Sequence, residues 1–260
     1  MSNKKFDAEA FIELLSIQAV ARNQVDVAEY VKKKLFELQK NVFLTYTEDQ
    51  TGNILVTKGE SECYICLTCH LDTVYVIKKN FQIIVDQTKY SAKAGNEKNG
   101  VGGDDKCGIF AILQLLQSST MPFKAVFFVD EKQNRTGANK IDISFFNDVG
   151  FLIAIDRQGK SDMVTTLNFK DITINDNIRD YLMPIARKYG YMETGGKMSN
   201  VFTIQSRLKK KAVSAINISC GFFNPISNDE FIEQTALENC IKFISELLQE
   251  YKLVTYYLDM

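Results

Sequence analysis

Tyr64-Ile65-Cys66-Leu67-Thr68-Cys69-His70-Leu71-Asp72-Thr73-Val74 holds the only histidine of this 260-residue chain. Tyr64 to Leu67 is a short apolar run and reads as a buried strand. His70 then stands at the strand's end, with Asp72 two residues on. An imidazole binds a cation through one nitrogen, and a nearby carboxylate can fix its tautomer and orientation. The pattern is therefore a metal-ligand arrangement. A satisfied core or surface histidine is the plain alternative, and the surrounding chain has to decide between them.

The same stretch carries three of the six cysteines. Cys66-Leu67-Thr68-Cys69-His70 matches the C-x-x-C-H spacing of haem attachment. That chemistry needs an exported protein, which the N-terminus does not support, and an exposed segment, whereas this one reads as a strand. Cys63 and Cys66 fall on opposite faces of an alternating strand, which argues against a cysteine zinc site. Buried small thiols are the expectation. The N-terminal residues lack the apolar stretch of a signal peptide, which predicts a cytoplasmic protein with reduced cysteines. Asn134-Arg135-Thr136 and Asn217-Ile218-Ser219 match the glycosylation pattern, which a cytoplasmic protein does not use.

Hydrophobic residues make up 45% and charged residues 24%, a composition that suits a large buried core. A net charge of −1 gives no reason to expect nucleic acid or an anionic membrane as partner. No apolar run reaches the length of a spanning helix. Pro is scarce and no linker divides the chain, so a single domain over residues 1–260 is expected.

Outward from His70, periodicity predicts helices over Asp7 to Ala19 and Gln24 to Gln39. Strands follow at Val42 to Thr45, Asn53 to Thr57 and Cys63 to Thr68, then a hairpin of Gln82 to Val85 with Tyr90 to Lys93. Asp105 to Leu116 reads as a helix, and Lys124 to Val129 and Phe151 to Ile155 as buried strands. Met163 to Ile174 is strand-rich, Ile178 to Tyr189 helical and Ser214 to Ile218 a strand. Asp229 to Tyr251 reads as a long closing helix. This alternation predicts an α/β fold: a three-layer α/β/α sandwich around a mixed, mostly parallel sheet. Ligands collect at the carboxyl ends of such strands, where His70, Asp130-Glu131 and Asp156 all fall.

Four segments form the candidate site. They are His70-Leu71-Asp72, then Gly100-Val101-Gly102-Gly103-Asp104-Asp105-Lys106-Cys107-Gly108-Ile109, then Phe127-Phe128-Val129-Asp130-Glu131-Lys132, and Ile153-Ala154-Ile155-Asp156-Arg157. Read alone, the two acids of the second segment suit either helix capping or ligation. In this order and setting the four segments resemble the co-catalytic di-zinc exopeptidases, among them tripeptidases, leucyl- and glutamyl-type aminopeptidases and zinc carboxypeptidase relatives. The resemblance implies that fold without an inserted lid domain, because only short hairpin material joins His70 to Asp104. It implies His70 and Asp156 as ligands of one zinc, Asp72 as the acid supporting His70, and Asp104 as the bridging carboxylate. Glu131 resembles the general base that takes a proton from the nucleophilic water. Gly195-Gly196-Lys197-Met198-Ser199-Asn200 resembles a glycine loop on the substrate side, or is a plain turn.

The chain departs from the family at two places. Where the family has two adjacent glutamates, this chain has Glu131-Lys132. Where the family has a late histidine, in Gly221 to Ile232 here, the matching residue is Ile226. Both ligands private to one zinc are gone, and both private to the other remain. The expectation is one ion at most, zinc or else cobalt or manganese, on His70, Asp104 and Asp156. Lys132 then stands in electrostatically for the missing ion, or else swings to solvent. Lys106 is expected to point to water. A one-residue shift, with Asp130 as base and Glu131 as ligand, is the alternative placement. The function implied is a metal-dependent exopeptidase acting on short peptides with a free N-terminus. The rival is a catalytically inactive relative that binds a peptide, an amino acid or a metal.

Overall fold

The computed structural model describes residues 6–168, 171–208 and 213–258, with side chains to residue 251. Two helices open the fold, α1 (Ala8–Leu15) and α2 (Val25–Leu38). The Asp7 carboxylate accepts the Ala10 N–H at 3.0 Å, satisfying one of the free donors at the start of α1. Strands β1 (Leu44–Glu48), β2 (Ile54–Lys58) and β3 (Tyr64–His70) follow, then β4 (Phe81–Asp86), β5 (Lys89–Ala94) and β6 (Glu97–Asn99). Next come α3 (Gly103–Ser118), β7 (Phe123–Phe128), α4 (Thr136–Lys140), a 3-10 turn at Ile143–Phe146 and β8 (Val149–Arg157). Then come β9 (Asp162–Leu167), β10 (Asp171–Ile172), α5 (Asp176–Lys188), β11 (Met192–Gly196) and α6 (Asn200–Arg207). The chain closes with β12 (Ser214–Ser219), β13 (Phe222–Phe223), β14 (Phe231–Glu233) and α7 (Gln234–Leu258).

The main sheet runs β1-β2-β7-β3-β8-β12-β9-β10, with β11 beside β9. Its four central strands, β7, β3, β8 and β12, are parallel, antiparallel pairs flank them on both sides, and β11 runs parallel to β9. Every residue of β3 is buried, as expected of a central strand covered on both faces. Its side chains alternate between two cores. Ile65, Leu67 and Cys69 join the core under α1, α2, α3, α5 and α7, whereas Tyr64 and Cys66 join the core under α4 and α6. The same alternation separates Phe127 from Phe128 and Ile153 from Ala154. The result is the α/β/α sandwich expected from the sequence. All six cysteines are free thiols, five of them buried.

Register brings the site together. His70 lies opposite Phe128, and Thr68 opposite Ala154. The carboxyl ends of β3, β7 and β8 therefore meet along one edge of the sheet.

Two expectations need correction. The closing helix starts at Gln234, not Asp229, because Phe231-Ile232-Glu233 alternates and pairs with β5 through Ile232–Tyr90 and Glu233–Lys89. This pairing completes a small second sheet, β13-β14-β5-β4 with β6 beside β5. Lys106 does not point to water. Its Nζ donates to Leu15 O at 2.9 Å and Ile17 O at 2.6 Å, at the end of α1 where carbonyls lack helical partners. Burial pushes its ammonium down to about 7. Among the described residues no helix is long and apolar enough to cross a membrane.

Candidate metal centre

Strand ends, one loop and one helix start supply the centre. His70 closes β3 and its side chain is fully buried. Its Nε2 lies 3.0 Å from Asp104 Oδ1 and 3.5 Å from Asp156 Oδ1. Its Nδ1 lies 3.5 Å from Asp72 Oδ1 and makes no hydrogen bond. Four donors around a zinc ion with bonds of about 2.0–2.1 Å stand about 3.3 Å apart. The two Nε2 distances bracket that edge, and imidazole with two carboxylates is a donor set that suits Zn²⁺. His70 Nε2 thus has one carboxylate oxygen of Asp104 and one of Asp156 at distances compatible with a shared ion.

Asp105 is the alternative third donor. Atoms of His70, Asp105 and Asp156 lie within 4.8 Å of one another, a spacing that could hold a cation. Both Asp105 oxygens accept backbone N–H groups, whereas those of Asp104 accept a side-chain ammonium. Oδ2 accepts the His70 N–H and Oδ1 the Gly108 N–H, each at 3.0 Å. A Cβ at Gly108 would stand 2.5 Å from that Oδ1, so only glycine allows this approach.

Lys132 turns inward. Its Nζ donates to both Asp104 oxygens at 3.0 Å and lies 3.1 Å from Glu131 Oε2. Three acceptor oxygens thus surround the three ammonium hydrogens. Both electrostatic neighbours of Asp104 act on it: burial alone would raise its carboxyl, but His70 and Lys132 hold it well below the usual range. Burial and Lys132 push the His70 imidazole down, yet Asp156 and Asp104 outweigh them and raise it well above its ordinary value. Burial lifts the Asp156 carboxyl against the pull of His70. Burial also opposes charge on Lys132, but Asp104, Asp156 and Glu131 keep it firmly protonated.

Each segment bearing a site residue is tied down by a buried polar side chain. Asp72 is fully buried and accepts the N–H groups of Glu131 at 2.8 Å and Lys132 at 2.9 Å. Those two residues follow Asp130, and both Asp130 (φ 51°) and Arg135 (φ 56°) lie in the left-handed region. Non-glycine residues rarely adopt that conformation, and such strain clusters at functional sites. Asp105 holds the His70 backbone, as above. The Asn217 side chain accepts from Asp156 N at 3.3 Å and donates to Asp156 O at 3.2 Å. Glu230 accepts from Gly102 N at 2.7 Å and Asp104 N at 3.2 Å. Burial raises the Glu230 carboxyl to about 7.

Sequence reasoning missed these last three anchors. The sequence places Glu230 at the start of the closing helix and in the Gly221–Ile232 stretch, and Asn217 in a strand and a glycosylation pattern, with a site role for neither. A polar residue inside the apolar run Ser214 to Ile218 was the available signal. Asp130 faces away from the ion site, with Oδ1 accepting the Arg22 N–H at 2.9 Å. Ile226 sits in the β13–β14 loop, 68% exposed, with φ 61°. That loop is tied to the segment after His70 by the Tyr75 hydroxyl, which donates to Ser227 O at 2.8 Å. Gly195 to Asn200 lead into α6, and no hydrogen bond among the described residues joins them to His70, Asp104 or Asp156. A cavity of about 400 Å³ between α1, α2 and α3 contains none of the site residues.

No family model matches the chain. A curated relative, the uncharacterised protein YqjE of Bacillus subtilis (strain 168), is 28% identical over 172 residues, which is 62% of this chain and 45% of that protein. The chain thus matches less than half the length of that relative. Solved structures give closer coverage. Aminopeptidase PepT from Bacillus cereus ATCC 10987 superposes with a TM-score of 0.77 at 13% identity, over 93% of this chain and 97% of that one. A tripeptidase from Staphylococcus aureus subsp. aureus Mu50 superposes with a TM-score of 0.74 at 16% identity, over 95% and 97%. The aminopeptidase APDkam598 of the archaeon Desulfurococcus kamchatkensis gives 0.68 at 13% identity, over 93% and 94%. The chain has the fold of these aminopeptidase and tripeptidase structures.

Proposed function

We propose that this chain is a metal-dependent exopeptidase, one catalytic domain that cleaves short peptides at a centre holding one ion. The observation that carries the reading is the approach of Asp104 and Asp156 to His70 Nε2, at 3.0 and 3.5 Å, with the Lys132 ammonium on both oxygens of Asp104. His70, Asp104 and Asp156 would hold the ion. Zn²⁺, or Co²⁺ or Mn²⁺, bound there supplies Lewis-acid polarisation of the scissile carbonyl and lowers the pKa of water. Asp72 places negative charge 3.5 Å from Nδ1, which favours a proton on that nitrogen and leaves Nε2 for ligation. Glu131 takes the proton from the attacking water and returns it to the leaving amine. Lys132 neutralises Asp104 and Glu131 and offers positive charge to the developing oxyanion. The six free thiols agree with a reducing, cytoplasmic setting.

A second reading has its own support. The Lys132 contact with Glu131 at 3.1 Å ties up the base, and Ile226 offers no ligand. A relative that binds a peptide, amino acid or metal without cleaving it is consistent with that pair of features. Elemental analysis and peptide hydrolysis with Zn²⁺, Co²⁺ or Mn²⁺ separate the two. One bound ion with turnover abolished by Glu131→Ala supports the peptidase. One bound ion without cleavage of any di- or tripeptide supports the binding protein.

A further inference from the structure

Glu230 lies 126 residues from Asp104 in sequence and is 1% exposed. Neither of its oxygens meets an ion ligand's side chain. Both instead accept backbone N–H groups from the segment that presents Asp104, Gly102 N at 2.7 Å and Asp104 N at 3.2 Å. That segment needs an outside anchor. Gly102 is left-handed (φ 73°), and Asp104 (φ −87°, ψ 94°) and Asp105 (φ −126°, ψ 36°) are not helical, although the helix continues after them. Helical hydrogen bonds therefore do not fix the direction of the Asp104 carboxylate. The anchor is placed on a braced support. Two residues on from the Glu230 loop, Ile232 pairs with Tyr90, and three residues back Ser227 O receives the Tyr75 hydroxyl.

We propose that Glu230 is a positioning residue for the ion centre, holding the Asp104 backbone so that its carboxylate meets the point defined by His70 and Asp156. This rests on the single-ion reading above. Glu230 acts through Asp104 and touches neither ion nor substrate. The carboxylate is needed because two N–H donors point at it. An amide has one oxygen, and its NH₂ cannot accept from the second N–H.

The test compares Zn²⁺ affinity, by competition with a chromophoric chelator, with fold stability measured separately on the metal-free protein. Glu230→Gln is expected to keep the stoichiometry of one and weaken Zn²⁺ binding by about 10- to 100-fold, as for other groups that orient ligands. Asp229→Asn, in the same loop but paired with exposed Lys98, is expected to bind as the parent does. A structural role alone would lower stability and leave the affinity of the folded fraction unchanged, which overturns the proposal. Should Glu230→Gln not fold, Glu230→Asp keeps two acceptors on a shorter arm. Faster exchange of the Gly102 and Asp104 amides in that variant must come with weaker Zn²⁺ binding, and parent-like affinity overturns the proposal. A parent protein that binds no ion removes the single-ion reading and this inference together. Equal binding by parent and variants removes the inference alone.

Discussion

The two sides of Asp104 are built from opposite materials. On one side stand His70, fully buried, and Asp156, with 13% of its side chain exposed, both at strand ends fixed by sheet register. On the other stands Lys132, on a loop with left-handed residues, while Ile226 lies 68% exposed on the β13–β14 loop. The strand side keeps a donor set fit for a dication. The loop side carries a monocation of its own and no imidazole. A sheet edge tolerates little change because its strands are packed on both faces, while loops accept substitutions at low cost. On the single-ion reading proposed above, the contrast accounts for donors kept on the strand side and replaced on the loop side.

The sharpest way to break this contrast is to remove the tethered cation. Lys132→Met leaves Asp104 and Glu131 without their partner. Because the pair is mostly buried (19% and 12% exposed side chains), the metal-free protein should lose about 3 kcal/mol in urea unfolding. An unchanged midpoint would mean that the ammonium does not balance these acids. Adding the missing donors is the converse experiment. Lys132→Glu together with Ile226→His should raise the bound ions from one toward two by elemental analysis, and no second ion would mean that those positions are misassigned.

Smaller effects sharpen the strand side. Asp72→Asn keeps the shape but removes the carboxylate beside His70 and one acceptor for the 131–132 loop. Zn²⁺ affinity should fall by about 10- to 100-fold, or about 1.4–2.7 kcal/mol, read by chelator competition. The pH dependence follows from His70. Its folded-state value is raised, chiefly by Asp156 and Asp104 against burial and Lys132. The stabilisation is therefore complete below the unfolded value of about 6.5 and is lost as pH rises through the folded value. Metal-free protein should lose stability on alkalinisation above about pH 6.5, and His70→Gln should flatten that slope. The smallest effect lies on the loop side. Ile226 is β-branched, exposed and left-handed, so Ile226→Gly should raise stability by about 1 kcal/mol, checked by thermal unfolding.

Much of this was legible in the chain. His70, Glu131 and Asp156 declare themselves because each follows a run apolar enough to be a central strand, and acids there are costly without a purpose. The layer order follows from the alternation of periods. The anchors were hidden for a different reason. Glu230 and Asp105 work on backbone amides, and an amide is present at every non-proline position, so no residue type marks the partner. Lys106 shows the same limit: its partners are carbonyls of Leu15 and Ile17, about ninety residues upstream. A lysine at a helix start is normally solvated, and only the docking of α1 makes it otherwise. The strand Phe231–Glu233 was lost to the strong helix behind it, since three residues give too little alternation to outweigh a long 3.6-residue period.

Lys132 has one more consequence. A charge carried on the polypeptide cannot be stripped by a chelator, exchanged for another element or lost when the surrounding medium runs short of zinc. On the single-ion reading, a third of the centre's positive charge is then synthesised with the chain, and starvation for metal would reach only the His70 side.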